Sequence, residues 1–158
     1  MKPGIVRPLS IAVIRRGDAI FVVEGHDRRK QQTFYRPLGG QIEFGEHSRE
    51  TLQREMREEI GQEVRDLRYL GTLENIFVYE GQQGHEIVIV YAADFVDREI
   101  YTRDWVTGRE DNGATFKALW KPLRDFNASR APLYPDGLLE LIEAAGSSSG
   151  EAHSWSGQ

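Results

Sequence analysis

Three glutamates, Glu55, Glu58 and Glu59, crowd into the run Arg54-Glu55-Met56-Arg57-Glu58-Glu59-Ile60-Gly61, which a glycine then closes. A helix turns about 100° per residue, so side chains three and four apart are surface neighbours. Leu52, Met56 and Ile60 recur every four residues and form an apolar stripe beside the acids. The carboxylates therefore border a core and do not stand in open water. Each like-charge pair at these spacings costs roughly 0.2–0.5 kcal/mol in an isolated helix, and partial burial makes the repulsion worse. A divalent cation among them reverses the sign. The donors are all oxygens, the chain has no cysteine, and this turn has no histidine, which suits magnesium, calcium or manganese over zinc. Taken alone, the same pattern also describes a solvated acidic helix face.

The flanking residues narrow the choice. Gly39-Gly40 precede the helix, Glu46 and Arg54 stand eight residues apart, and Gly61 takes the usual helix-ending position. Gly40, Glu46, Arg54, Glu55, Met56, Glu58, Glu59 and Gly61 together resemble the Nudix hydrolase signature. Two places depart from it: Gln62 stands where the pattern has an apolar residue, and Pro37-Leu38-Gly39-Gly40 replaces the commoner Leu-Pro-Gly-Gly. Neither touches a carboxylate.

The resemblance implies an α/β (α+β) chain folded as an α/β/α sandwich with a mixed β-sheet. It also implies an enzyme that uses Mg²⁺ or Mn²⁺ to hydrolyse the pyrophosphate linkage of a nucleoside diphosphate joined to another moiety. Dinucleoside polyphosphates and nucleoside triphosphates are among the candidates. By the same resemblance Glu55, Glu58 and Glu59 are catalytic residues and metal ligands, with the Gly40 carbonyl as a further ligand. A glycine there lets the backbone approach an ion. Glu46 and Arg54 form a structural ion pair, or Arg54 contacts substrate phosphate. The alternative is a Nudix-like module that binds a nucleotide without cleaving it; the intact set of box carboxylates argues for activity.

With 158 residues the chain is expected to form one domain over residues 1–145, followed by a Ser/Gly-rich tail, 146–158, expected to be disordered. The net charge of −5 makes it a poor candidate for gripping duplex nucleic acid. No leader-like apolar run follows Met1, and the longest apolar stretch, Ile87 to Phe95, is too short to span a bilayer, so a cytoplasmic location without membrane attachment is expected. A homodimer stays open.

Leu9 to Val13 and Ala19 to Glu24 read as a β-hairpin around Arg15-Arg16-Gly17-Asp18. Gly25 to Gln32 reads as a polar stretch and Thr33 to Arg36 as a short strand, with Ser48 as the cap of a helix running to Ile60. Arg68 to Leu73 and Asn75 to Tyr79 form a strand region, Glu80 to Gly84 a turn, and Ile87 to Tyr91 a strand covered on both faces. Residues 102–113 read as irregular, Ala114 to Trp120 as a strand and Gly137 to Ala145 as a second helix. Arg36, four residues before Gly40, and Tyr79, whose ring can stack on a base, are the substrate-binding candidates. Glu86 is either a satisfied strand residue or an extra ligand or base. Glu110 and Asp111 are either a mobile acidic loop or the source of a general base.

Overall fold

The computed structural model describes residues 4–147. Strand β1 (Val6–Val13) carries side chains alternately to two faces, as the two-residue period of a strand requires. Ala12, followed by Ile14, enters one core, and Ile11 and Val13 enter the other. After β2 (Arg15–Arg16) the chain turns into β3 (Ala19–Asp27), and only Arg15 and Arg16 pair with Ile20 and Ala19. The expected hairpin between Leu9–Val13 and Ala19–Glu24 is thus corrected. The turn pairs its nearest residues, while β1 buries its two apolar faces in another sheet.

Residues 25–32 also depart from the sequence reading. Strand β3 continues to Asp27, and β4 (Gln32–Arg36) pairs with it antiparallel. The buried Asp27 carboxylate accepts the backbone N–H groups of Arg29 and Lys30 and so closes that turn locally. β5 (Gly39–Gln41) follows, then helix α1 (Ser48–Ile60). Ser48 is not the cap. His47 holds that position, its N–H donating to Glu50 at 2.9 Å, and the Ser48 hydroxyl instead meets the Tyr91 hydroxyl at 2.6 Å. Gly61 ends the helix with φ 65°, a left-handed conformation that glycine adopts without a Cβ penalty.

The expected pair of segments around Leu73 is one long strand, β6 (Val64–Tyr79), bent by irregularities after Arg65 and Tyr69. It turns at Glu80 and Gly81 into β7 (Gln82–Phe95). Residues 102–113 are not all irregular: β8 (Trp105–Arg109) pairs with β9 (Thr115–Pro122). Helix α2 (Leu138–Ser147) closes the described chain. Gly146 and Ser147 belong to it, and the rest of the segment expected to be disordered lies outside the described residues.

The mixed sheet runs β5-β1-β7-β6, with β1 parallel to β7 and the other neighbours antiparallel. A second, antiparallel sheet runs β2-β3-β9-β8, with β4 beside β3. Leu52 and Met56 of α1 pack with Ala12, Phe21, Tyr91 and Trp120, whereas Leu138 and Ile142 of α2 pack with Ile11, Val13, Val88 and Val90. The helices therefore cover opposite faces, giving the α/β/α sandwich. Burying one such leucine contributes roughly 1.5–3 kcal/mol. Among the described residues no helix is long and apolar enough to cross a membrane.

Candidate active site

Packing of Leu52 and Met56 fixes the rotation of α1, and that rotation turns Glu55 inward while Glu58 stays exposed. Glu55 is 8% exposed and presses on the backbone of β5. A Cβ placed on Gly40 would lie 2.4 Å from the Glu55 Cδ, so no side chain fits there. One turn on, Glu59 is partly buried, and its Oε1 has no hydrogen-bond partner.

Burial first, and then the negative charge and carboxyl contact of Glu55, push the Glu59 pKa well above the carboxylate range, against the pull of Arg36. The Glu55 pKa is raised too, chiefly by burial, with Asp111 and Glu58 adding repulsion and Arg54 opposing it. Two carboxylates held this close repel each other. Without a cation the pair cannot ionise freely.

Arg54 is the hub of the loop that enters α1. Its Nε donates to Glu46 Oε2 at 2.8 Å, and its Nη2 to Glu46 Oε1 at 3.0 Å and to the Gln41 carbonyl at 3.2 Å. Its Nη1 donates to Glu55 at 2.8 Å and to Glu58 at 3.3 Å. Thr51 Oγ1 adds a bond to Glu46 at 2.6 Å. Hydrogen bonds from Arg54 and Thr51 hold the Glu46 carboxyl down at about 2, and the bonds to Glu46 and Glu55 raise the Arg54 pKa further. Arg54 is thus committed to the loop and the acids.

Among the described residues no three His, Cys, Asp or Glu side chains already converge as a metal cage, since Arg54 engages two of the acids. The residues nevertheless fit a hard divalent cation. The donors are oxygens, Glu59 Oε1 is an unmatched buried acceptor, and the Gly40 backbone is open to close approach.

The remaining sequence candidates divide. Arg36, exposed at the end of β4, and Asp111, in the turn after β8, both act electrostatically on Glu59. Tyr79 packs edge-on against Phe34 with 5.9 Å between ring centres, and Tyr134 lies 5.7 Å from the same ring. Phe34 shares a face of β4 with Arg36 through the two-residue period. Glu86 is a satisfied strand residue. It is buried, accepts from Arg7 and Asn75, and shares its face of β7 with Val88 and Val90 of the α2-side core. In the turn that holds Arg28, Arg29 and Lys30, Arg28 pairs with Glu80 and so helps dock the β6–β7 turn on the β3–β4 turn. Thr51, Phe34 and Tyr134 were missed by the sequence reading, and only the tertiary contacts reveal them. A cavity of about 370 Å³ lined by Val6, Ile76 and His85, and one of about 190 Å³ lined by Phe126, Leu133 and Tyr134, include none of the α1 acids.

Comparison with known proteins identifies the family and the fold. The profile described as NUDIX domain matches residues 6–140. The NAD-capped RNA hydrolase NudC of Pasteurella multocida (strain Pm70) is 30% identical over 141 residues, which are 88% of this chain and 46% of that protein. NudC of Pseudomonas aeruginosa (strain LESB58) is 30% identical over 97 residues, 61% of this chain and 32% of that protein. The chain therefore spans less than half the length of these curated relatives. Among solved structures, a MutT NUDIX hydrolase from Burkholderia pseudomallei superposes with TM-score 0.61 at 20% identity, covering 87% of this chain and 97% of that one. A NUDIX hydrolase from Nitrosomonas europaea gives 0.61 at 20% identity over 92% and 90%. At such identities the structures speak to the fold.

Proposed function

The chain belongs to the Nudix hydrolase family, and from that premise we propose that it cleaves the pyrophosphate linkage of a nucleoside diphosphate joined to a second group, in a divalent-cation-dependent reaction. The observation that carries this reading is the pairing of the buried Glu55, which rests on a stretch of backbone that admits no side chain, with the partly buried Glu59, whose Oε1 is unmatched.

Glu55, Glu58, Glu59 and the Gly40 carbonyl would hold Mg²⁺ or Mn²⁺. Such an ion supplies neutralisation of phosphate charge and a more acidic bound water. The chain's own groups do the rest. Arg36 offers a positive charge to the diphosphate from the end of β4. Tyr79, with Phe34 behind it, offers a stacking surface for a base. Glu55, Glu59 or Asp111 accepts the proton of the attacking water. The Glu46–Arg54 pair keeps the β5–α1 loop and its backbone carbonyls in register with the helix. One water adds across the P–O–P bridge and two phosphate-bearing products leave, one of them a nucleoside monophosphate or its equivalent. The names of the NudC relatives make dinucleotides of the NAD type the first compounds to test.

The experiment is a screen of NAD, diadenosine polyphosphates and nucleoside triphosphates for magnesium-dependent product release, repeated with Glu58→Gln and Glu59→Gln. Each change is expected to lower turnover by about 100-fold or more, in line with removing a group that stabilises developing charge. Unchanged turnover in both variants rejects the assigned roles. Binding without product release in the unmutated chain rejects hydrolysis itself.

A further inference from the structure

Ser10 stands in the apolar run of β1 with none of its surface exposed, yet its hydroxyl has no hydrogen-bond partner. Buried polar side chains are nearly always matched, so an unmatched one calls for a physical reason. Its position supplies one. The β1–β5 register sets Ser10 directly opposite Gly40. Residues so placed in an antiparallel pair project to the same face, with Cβ positions about 5 Å apart. The Cβ that Gly40 lacks would lie 2.4 Å from Cδ and 2.5 Å from Oε1 of Glu55. Ser10 therefore points to the face where the Glu55 carboxyl rests, next to the space that the missing glycine side chain leaves. α1 closes that space from the other side, which is why both residues are buried.

We propose that Ser10 is a positioning residue of the active site, whose hydroxyl donates to the Glu55 carboxylate when that group turns to hold a divalent cation; the inference rests on the metal-dependent reading of α1 given above. Here Glu55 Oε1 is occupied by Arg54 Nη1 at 2.8 Å. Turning toward a cation shared with Glu59 weakens that contact and leaves a buried carboxylate short of a donor. The serine hydroxyl supplies the replacement from the sheet side. Because β1 lies inside the mixed sheet, this donor is fixed in place, and it holds the carboxylate in one orientation. Outer partners of this kind tune metal affinity by their effect on the ligand's geometry.

The test uses the full chain and Mn²⁺ itself. Calorimetric titration and thermal melting without metal are compared for the unmutated protein and Ser10→Ala, together with kcat and KM on the substrate found by the screen. Ser10→Ala is expected to melt at the same or a higher temperature without metal, because it deletes an unmatched hydroxyl. It is also expected to bind Mn²⁺ about tenfold or more weakly and to lower kcat with little change in KM. Mn²⁺ affinity equal to that of the unmutated chain overturns the proposal. So does a loss of affinity that merely accompanies a lower metal-free melting temperature, which marks a structural role. If the unmutated chain itself takes up no Mn²⁺, the metal-dependent reading falls and carries Ser10 with it, a result distinct from equal binding by both proteins.

Discussion

At the scale of single residues, Gly40 and Glu46 make opposite demands. Gly40 is needed for what it lacks. Gly40→Ala puts a methyl 2.4 Å from the Glu55 Cδ and must push that carboxyl aside. A displacement near 1 Å at a reacting centre lowers rate by about 100-fold. Steady-state turnover of Gly40→Ala should fall by that order while its circular dichroism stays that of the parent. Glu46 is needed for its charge. Its carboxyl sits at about 2 in the folded chain against an ordinary 4.5. A carboxyl depressed by folding contributes stability in full above its unfolded value, and that contribution disappears as pH falls toward the folded value. Melting curves of the parent and Glu46→Gln should therefore differ most above about pH 4.5 and converge as pH drops toward 2. A gap that stays constant over that range would show that the Arg54 and Thr51 bonds do not shift its titration.

Among the elements, α1 shows how a helix becomes a ligand carrier. Leu52 and Met56 fix its rotation, the His47–Glu50 bond fixes its start, and Gly61 fixes its end. Nothing lies within 4 Å of a Cβ on Gly61, so a substitution there tests backbone conformation alone. Gly61→Ala places an L residue at φ 65° and should cost about 1–2 kcal/mol by urea denaturation, with Gly61→Asn costing less. The strands were less legible than this helix. Leu9–Val13 looks like a hairpin partner of β3 because only local spacing is visible in a sequence, but its pairing with β7, Leu9 opposite Val88, spans half of the chain. Trp105–Arg109 exposes Trp105, Thr107 and Arg109, so it reads as a loop and becomes a strand by pairing with β9. Asp27 shows a related effect: it closes its own turn and also accepts the N–H of Glu80 at 3.1 Å. Amide exchange at Glu80 should speed up in Asp27→Ala, and unchanged exchange would mean that the two turns dock without it.

For the whole molecule, the two cores set the separation of parts. One core holds α1 against the mixed sheet, and the second sheet continues it toward β8 and the Asp111 turn. If the acids of α1 bind a cation only in the folded chain, the ion must stabilise the fold by mass action. Mg²⁺ or Mn²⁺ at 100 times its dissociation constant should add about 2.7 kcal/mol to stability. Thermal melting with and without the ion measures this, and the increment should shrink in Glu59→Gln. An equal increment in that variant would locate the ion away from α1.

The helix with its three carboxylates, the glycines that bracket it and the family are legible from the residues alone, because they depend on spacings within a few turns of chain. The folded chain alone reveals which acid is buried, that Arg54 gathers Glu46, Glu55 and Glu58, that Glu86 belongs to the opposite face, and that Ser10 stands beside Gly40. Those facts arise from pairing and packing between residues far apart in the chain. No local periodicity records the register of β1 against β5, and that register sets the surroundings of the carboxylates.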